Sequence, residues 1–494
     1  MGIPYYFYYL TKKYSNIIVR ELPKKINIYA IDFNGIIHPE AAKETNEEQL
    51  IINLWNKINN YNDLYKPDKL IICIDGVAPF AKIIQQRKRR YLTFYKNKID
   101  KIVSKWDTNA ISPGTNFMNK LDDYITKHNQ NKYIYSGSNE AGEGEHKIFK
   151  LINNNDNDNE NENDNDNDNE NVIIINGLDA DLIILSLISG KNNIYLMREN
   201  NEQLTYVNID NLKLAIIAEL DKKWCIENTT DLIESYCVMC SILGNDFIPH
   251  ILNLNIKSGG LDKLITITEI AIRANGSLVE NNEINQKTLS EIFNLIAENE
   301  DIEIINLINK EIEKKPRDFT LKSQEYGVKN KDPVLNDIYN NSKKWRYYYY
   351  KKLFDININS DSMYISNATN DYIKGIYWTY NYYKKFDLDY TWYYPYNYPP
   401  TVKDISNYLK VNIIQPIKLS GNFLEPKIQL LLILPIHSID LVDKSYQKYM
   451  TDITLGLKYL YPSEYKIQTL FKNHLWECCS ILPMINIEKI IKIK

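Results

Sequence analysis

The chain has 494 residues, 44% apolar and 25% charged, with a formal net charge of −4. These proportions exclude a disordered or fibrous chain, and the length allows two or three domains with buried cores. The longest apolar run, around Ile428 to Ile436, is too short to cross a bilayer, and the six cysteines form no disulfide framework. With no visible signal peptide, this predicts an intracellular protein of a reducing compartment, cytoplasmic with virion and nucleus as alternatives, and without membrane contact.

Short β-branched runs alternate with helical patterns over the first 270 residues. Strands are expected at INIYAI, KLIICI, KYIYS, NVIIIN and NIYLM, and helices at EEQLIINLWNKI, AKIIQQRKRRYLTFYKNK, NFMNKLDDYITKH, GEHKIFKLI and DLIILSLI. The alternation predicts an α/β domain with a mainly parallel sheet flanked by helices. Between GEHKIFKLI and NVIIIN, eight acids alternate with Asn from Asn153 to Asn171; without them the net charge becomes +4. A tract with no apolar residue cannot offset its ordering entropy, so a disordered insertion is expected. The remaining surface is basic, which is compatible with nucleic acid without establishing it. Cys237 and Cys240 form a CxxC inside the apolar run YCVMCSIL, where a buried structural role is expected rather than zinc or redox chemistry. From about residue 271 to 340 the pattern is helical and charged, suiting a linker or small subdomain. A second lobe, 341–494, is rich in Tyr and Trp and reads as mixed α/β.

Seven acids stand in five segments of the first half: Asp32 in IDFN, Asp75 in IDGVAP, Glu143 and Glu145 in GEGEHK, Asp179 and Asp181 in GLDADL, and Asp246 in GNDF. Taken singly, an Asp after a strand is ordinarily a turn or cap residue, and a Glu at a helix start complements the helix dipole. Ligands of open parallel sheets bind at the carboxyl ends of the strands, however, and several of these acids recur there. Carboxylates gathered in one place repel unless cations neutralise them. Oxygen donors without Cys or His partners point to Mg²⁺ or Mn²⁺, and two such ions suit phosphodiester hydrolysis.

Directly after Asp75, on the helix AKIIQQRKRR, Lys82, Gln86, Arg89 and Arg90 fall on one face. An ammonium, an amide and two guanidinium forks make a receptor for a phosphate; the plainer alternative is a solvated basic face.

The order of these motifs resembles the XRN family of 5′→3′ exoribonucleases over almost the whole chain. The matching segments are MGIP, DFNGIIH, IDGVAP with AKIIQQRKRR, ISPGTNFM, SGSNEAGEGEHK, GLDADLI and LGNDFIPH, then YIKGIYWTYNYY, WYYPYNYPP, YPSEY and WECCSILP. The resemblance implies a PIN/FEN-like nuclease core over 1–270, a helical linker over 271–340 and a second lobe over 341–494 that completes the cleft. It implies that Asp32, Asp75, Glu143, Glu145, Asp179, Asp181 and Asp246 hold two Mg²⁺ or Mn²⁺ ions, and that Lys82, Gln86, Arg89 and Arg90 bind a 5′-monophosphate. His38 matches a base-stacking residue, with Trp378 as candidate partner and Trp392 as the alternative. The implied substrate is single-stranded RNA with a 5′-monophosphate, cleaved processively to mononucleotides by a monomer, with decapping machinery as a partner. Phe80 and Ile84 depart from the pattern, standing where a basic and a polar residue are expected. Two rivals are kept: a FEN-like structure-specific DNA nuclease, and a non-catalytic RNA-binding scaffold.

Overall fold

The computed structural model describes residues 2–44, 46–101, 106–157, 171–177, 179–200, 203–313, 333–385, 388–415, 422–472, 474–491 and 493. Most of the Asn/Asp tract, 158–170, lies outside the described residues. The strands of the main sheet are β1 (Ile18–Val19), β2 (Ile28–Asp32), β3 (Lys69–Cys73), β4 (Ile134–Ser136), β5 (Ile173–Asn176), β6 (Ile194–Asn200) and β7 (Gln203–Asn208). Their order is β1-β7-β6-β5-β2-β3-β4. The five strands from β6 to β4 run parallel, whereas β7 is antiparallel to both β6 and β1. Five strands stand where the alternation predicts them. β1 is only two residues long and β7 is the return arm of a hairpin with β6; neither is among the strands expected from the alternation.

The helices of this half are α1 (Tyr6–Lys13), α2 (Asn34–Ala41), α3 (Glu47–Tyr65), α4 (Phe80–Asp100), α5 (Asn116–Asn129), α6 (Gly144–Asn157), α7 (Asp181–Ile188), α8 (Ile209–Trp224) and α9 (Thr229–Ser241). Local chemistry sets their starts: Asn46 accepts from the Gln49 N–H at 3.1 Å ahead of α3, and Thr115 accepts from the Met118 N–H at 3.3 Å ahead of α5. Successive strand residues point to opposite faces. Ala30, Ile71, Ile173 and Ile175 join α1, α6, α7 and α9 in one core. Tyr29, Ile31, Ile72 and Ile174 join α2, α3 and α5 in another. α7 (DLIILSLI) is apolar almost throughout and buried on every side, which is why its polar first residue, Asp181, is carried inside with it.

After α9 the chain is mostly helical: α10 (Gly260–Asn275), α11 (Gln286–Ala297), α12 (Glu300–Glu313), α13 (Pro333–Asn340), α14 (Trp345–Leu353), α15 (Ser362–Lys384), α16 (Val402–Val411), α17 (Pro426–Ile433) and α18 (Lys444–Thr451). The β character expected for the closing segments is limited to two-residue pieces such as Ile467–Gln468 paired with Cys479–Ser480. The core on one side of the sheet runs without a break into α11, α15 and α16, so this lobe is built onto the sheet domain rather than tethered to it. Phe80 and Ile84, the two apolar departures on α4, explain part of that join. Phe80 is buried edge-on against Tyr393 at 5.2 Å, and both residues pack with α17. Cys237 and Cys240 are buried free thiols in α9. Among the described residues no helix is long and apolar enough to cross a membrane.

Candidate active site

Because β5, β2, β3 and β4 are parallel neighbours, their carboxyl ends share one edge, and the acids gather there. Asp32 closes β2, Asp75 lies two residues beyond β3, and Glu143 directly precedes α6, whose first turn holds Glu145. Asp179 and Asp181 follow β5, with Asp181 opening α7. Asp246 arrives from the loop after α9. The Gly144 N–H donates to Asp75 Oδ1 at 2.7 Å, and a methyl group on Gly144 would stand 2.9 Å from Asp32 Oδ1. The Gly2 N–H donates to Asp246 Oδ1 at 3.2 Å. Gly2 has φ +51° and sits so near α7 that a side chain would meet Asp181 Oδ1 at 2.2 Å, a position open only to glycine. The N-terminal motif is thus part of the floor of the acidic site.

Lys82 joins the acids directly. Its ammonium lies 2.7 Å from Glu143 Oε1 and 2.9 Å from Asp246 Oδ2, all three side chains being buried. The electrostatics follow from this crowding. Burial, then the charges of Asp75 and Asp179, push the Asp32 carboxyl well above the usual range. Burial and Asp181 do the same for Glu145. Burial with Asp246 raises Asp181 to about 7. Glu143 is raised by burial against the opposing charge of Lys82. For Asp246 the balance reverses: burial acts to raise it, but the Lys82 ammonium outweighs that and holds it below the usual range.

The donor chemistry fits hard divalent cations. Asp32 Oδ1 is buried without accepting a hydrogen bond, and Glu143, Glu145 and His146 each offer a ligand atom within 4.8 Å of the others. Acids forced together and left short of positive charge are what a cation site looks like before its charge is balanced.

α4 is neither solvated nor wholly turned to one task. Arg87 is buried and donates to the Leu460 carbonyl, and Lys88 donates to Asn397 Oδ1 at 2.6 Å, so part of the basic run docks the second lobe. Of the face singled out in the sequence, Lys82 turns to the acids, Gln86 is buried with Oε1 unsatisfied, and Arg89 is exposed. Arg90 donates to Asn109 Oδ1 and, at 2.7 Å, to Ser112 Oγ; burial lowers its pKa to about 9. Asn109 and Ser112 had no separate signal, since nothing in a hydroxyl or amide marks it as an arginine brace. His38 is exposed on α2, within reach of the charges of Arg89 and Arg90; desolvation by the protein around it, then Arg89, lowers its pKa.

Trp378 is placed differently from the expectation. It is fully buried, its indole N–H donates to the Asp389 carbonyl at 2.9 Å, and its ring packs on Tyr382, Phe247 and Trp392. No face is free for a base, which corrects its assignment as a stacking residue. Trp392 packs against it, 5.1 Å away. Two other residues of α15 reach the site: Tyr383, buried beside the charges of Asp181 and Asp246, and, one turn on from Trp378, Tyr382. Its hydroxyl donates to Glu143 Oε2, and His146 lies 3.8 Å from its ring. Burial holds His146 neutral, with a pKa of about 3.

Beside the acids opens a cleft of about 830 Å³, lined by Asp179, Asp246 and Arg89 and, on the facing walls, by Tyr5, Lys472 and Trp476. Trp476 is 45% exposed and edge-on to Tyr5 at 5.8 Å. Tyr5 is fixed by a 2.7 Å hydrogen bond to Glu477 and by Lys257 Nζ 3.6 Å above its ring. The sequence offers Trp476 only as one tryptophan among seven, because exposure is a property of packing.

Residues 1–200 match the model of the XRN 5′-3′ exonuclease N-terminus, and residues 226–339 and 309–493 match that of the Xrn1 helical domain. The chain belongs to the XRN family. It is 25% identical to human 5′-3′ exoribonuclease 1, over 100% of this chain and 34% of that protein, and 24% identical to a Drosophila melanogaster 5′-3′ exoribonuclease 2 homolog, over 100% and 70%. The chain therefore spans about a third of the length of the human XRN relative. Among solved structures, the chain is similar to the catalytic core of Rad2 in complex with DNA substrate, over 84% of this chain and 96% of that one, at 11% identity and a TM-score of 0.33.

Proposed function

We propose that this protein is a 5′→3′ exoribonuclease that shortens single-stranded RNA carrying a 5′-monophosphate. The observation that supports it most is the meeting of seven carboxylates at one sheet edge with the cationic face of α4. Asp32, Asp75, Glu143, Glu145, Asp179, Asp181 and Asp246 would hold two Mg²⁺ or Mn²⁺ ions, whose chemistry there would be to activate a water and stabilise the leaving oxygen. Arg89, Arg90 and Gln86 grip the terminal phosphate, with Arg90 held in place by Asn109 and Ser112. Lys82 balances Glu143 and Asp246 and sits at the junction of the acids and the phosphate pocket. Because the pocket lies at a set distance from the acids, cutting falls one nucleotide in from the end. His38 and Trp476 stack bases of any identity, which lets the strand advance processively. Decapping machinery is the class of partner that generates such 5′ ends, and the protein acts as a cytoplasmic monomer.

The test is degradation of 5′-monophosphate, 5′-hydroxyl and capped RNA in Mg²⁺, beside the Asp179→Ala/Asp181→Ala variant. The monophosphate RNA should disappear first, from its 5′ end, and the variant should lose about a thousandfold, the scale of removing a principal electrostatic group. Equal loss of all three RNAs refutes the 5′-phosphate pocket. Internal cuts in 5′-hydroxyl substrates support the flap-nuclease rival, and full activity of the variant refutes the metal centre.

A further inference from the structure

We propose that Lys147 is a positioning residue, tying the loop that carries Asp75 to the loop that leads into Glu143 so that their carboxylates keep the spacing a divalent cation requires. This rests on the reading of the acidic edge as a metal centre. Lys147 lies in the first turns of α6 and is buried, 6% exposed. Its ammonium donates to the Ile74 carbonyl at 2.9 Å and to the Gly137 carbonyl at 2.7 Å. No carboxylate among the described residues lies within ion-pair distance of it; Glu140, Asp75 and Asp122 act on it only from farther off. A buried ammonium bound only to main-chain carbonyls is a costly arrangement, and such groups persist where the fold needs what they hold.

What it holds is the place where two strands part. Pairing of β3 with β4 ends at Cys73 and Ser136, and beyond it each chain turns toward the acids. Ile74 immediately precedes Asp75, and Gly137 begins the loop to Glu143. Above Lys147 the two loops are joined by main-chain bonds, Gly76 N–H to the Gly142 carbonyl at 2.9 Å and Gly142 N–H to the Val77 carbonyl at 2.8 Å. They approach so closely that a side chain on Gly76 would lie 1.6 Å from the Glu140 carbonyl oxygen. Without Lys147, two carbonyl oxygens would face each other at the base of this join, beneath carboxylates that already repel. An apolar side chain of the same length fills the space but satisfies neither oxygen and brings no positive charge. The chain therefore needs a cationic donor here for a geometric reason distinct from ligation or phosphate binding.

The experiment titrates Mn²⁺ into the full chain without RNA, by calorimetry and by the spin-resonance signal of free Mn²⁺, for wild type, Lys147→Met, Lys147→Gln and Lys147→Arg. Melting curves and kcat and KM on 5′-monophosphate RNA accompany it. Lys147→Met should weaken Mn²⁺ binding by about tenfold or more, the scale of losing a group that orients a ligand. KM for RNA at saturating metal should stay within about twofold, and Lys147→Arg should recover most of the affinity. If Lys147→Met does not fold, Lys147→Gln, which can still donate to one carbonyl, carries the same comparison. Wild-type Mn²⁺ affinity in the Met or Gln variant overturns the proposal while leaving the metal centre standing. So does an equal defect in Lys147→Arg with a lowered melting temperature, since that marks a purely steric role. A wild-type chain that binds no Mn²⁺ overturns both.

Discussion

Two buried carboxyls, Asp181 at the sheet edge and Glu300 in the helical lobe, are both raised to about 7, and burial is the leading cause for each. Their surroundings differ. Glu300 accepts main-chain N–H groups from Val402 at 2.5 Å and Lys403 at 3.0 Å, capping the start of α16. It is a structural acid, satisfied by its own fold. Asp181 stands among further acids, with Asp246 the next largest influence on it, and Asp32 nearby has a buried oxygen without any hydrogen bond. Burial alone therefore does not mark a functional acid; accumulation of like charge that the protein does not itself neutralise does. Aromatic residues show the converse. Trp378 sits in packing that is favourable in its own right, whereas Trp476 leaves nearly half its surface uncovered on a cleft wall.

The sharpest way to break the aromatic contrast is substitution by alanine. Trp378→Ala should cost about 3–5 kcal/mol of stability, as for a large core side chain, seen as a lowered unfolding midpoint. Trp476→Ala should leave that midpoint nearly unchanged and weaken RNA binding about tenfold, within the range for one stacked base. The reverse pattern would return the stacking role to α15. Next in size is Lys82→Met, which leaves Glu143 and Asp246 without their shared cation. In chelator it should lose about 3 kcal/mol, the cost of breaking a buried pair, and Mg²⁺ should restore part of it. No loss in chelator would mean the acids do not depend on Lys82.

The smallest effect is the pH dependence. An acid with a raised folded pKa keeps a proton that the unfolded chain, titrating near 4, has already lost; stability is thus full at low pH and falls as pH rises from about 4 to about 7. In chelator, Asp181 and Glu300 both contribute to that fall. Mg²⁺ should flatten the part due to the sheet edge, and Glu300→Gln the remainder, measured as melting temperature at pH 5 and 7.5. A slope untouched by Mg²⁺ would erase the distinction between the two acids.

Much of this was legible along the chain. The five parallel strands and their helices follow from short β-branched runs alternating with period-3.6 patterns, and the acids stand out because strand ends in a parallel sheet share an edge. The tip of Lys82 was not legible. The spacing that puts it on one helix face with Gln86 and Arg89 is the same whether its ammonium meets a phosphate or Asp246, a residue 164 positions away. Nor was the exchange of Trp378 for Tyr382, which share a helix face one turn apart.

The elements, the sheet edge and the family are written in neighbouring residues, as propensity, periodicity and motif order. Which cation balances which acid, which aromatic is core and which is wall, and the bonds of Lys147 to two loops emerge from packing. Those are matters of desolvation and of contact between segments far apart in the chain, and they exist only once the lobes have packed.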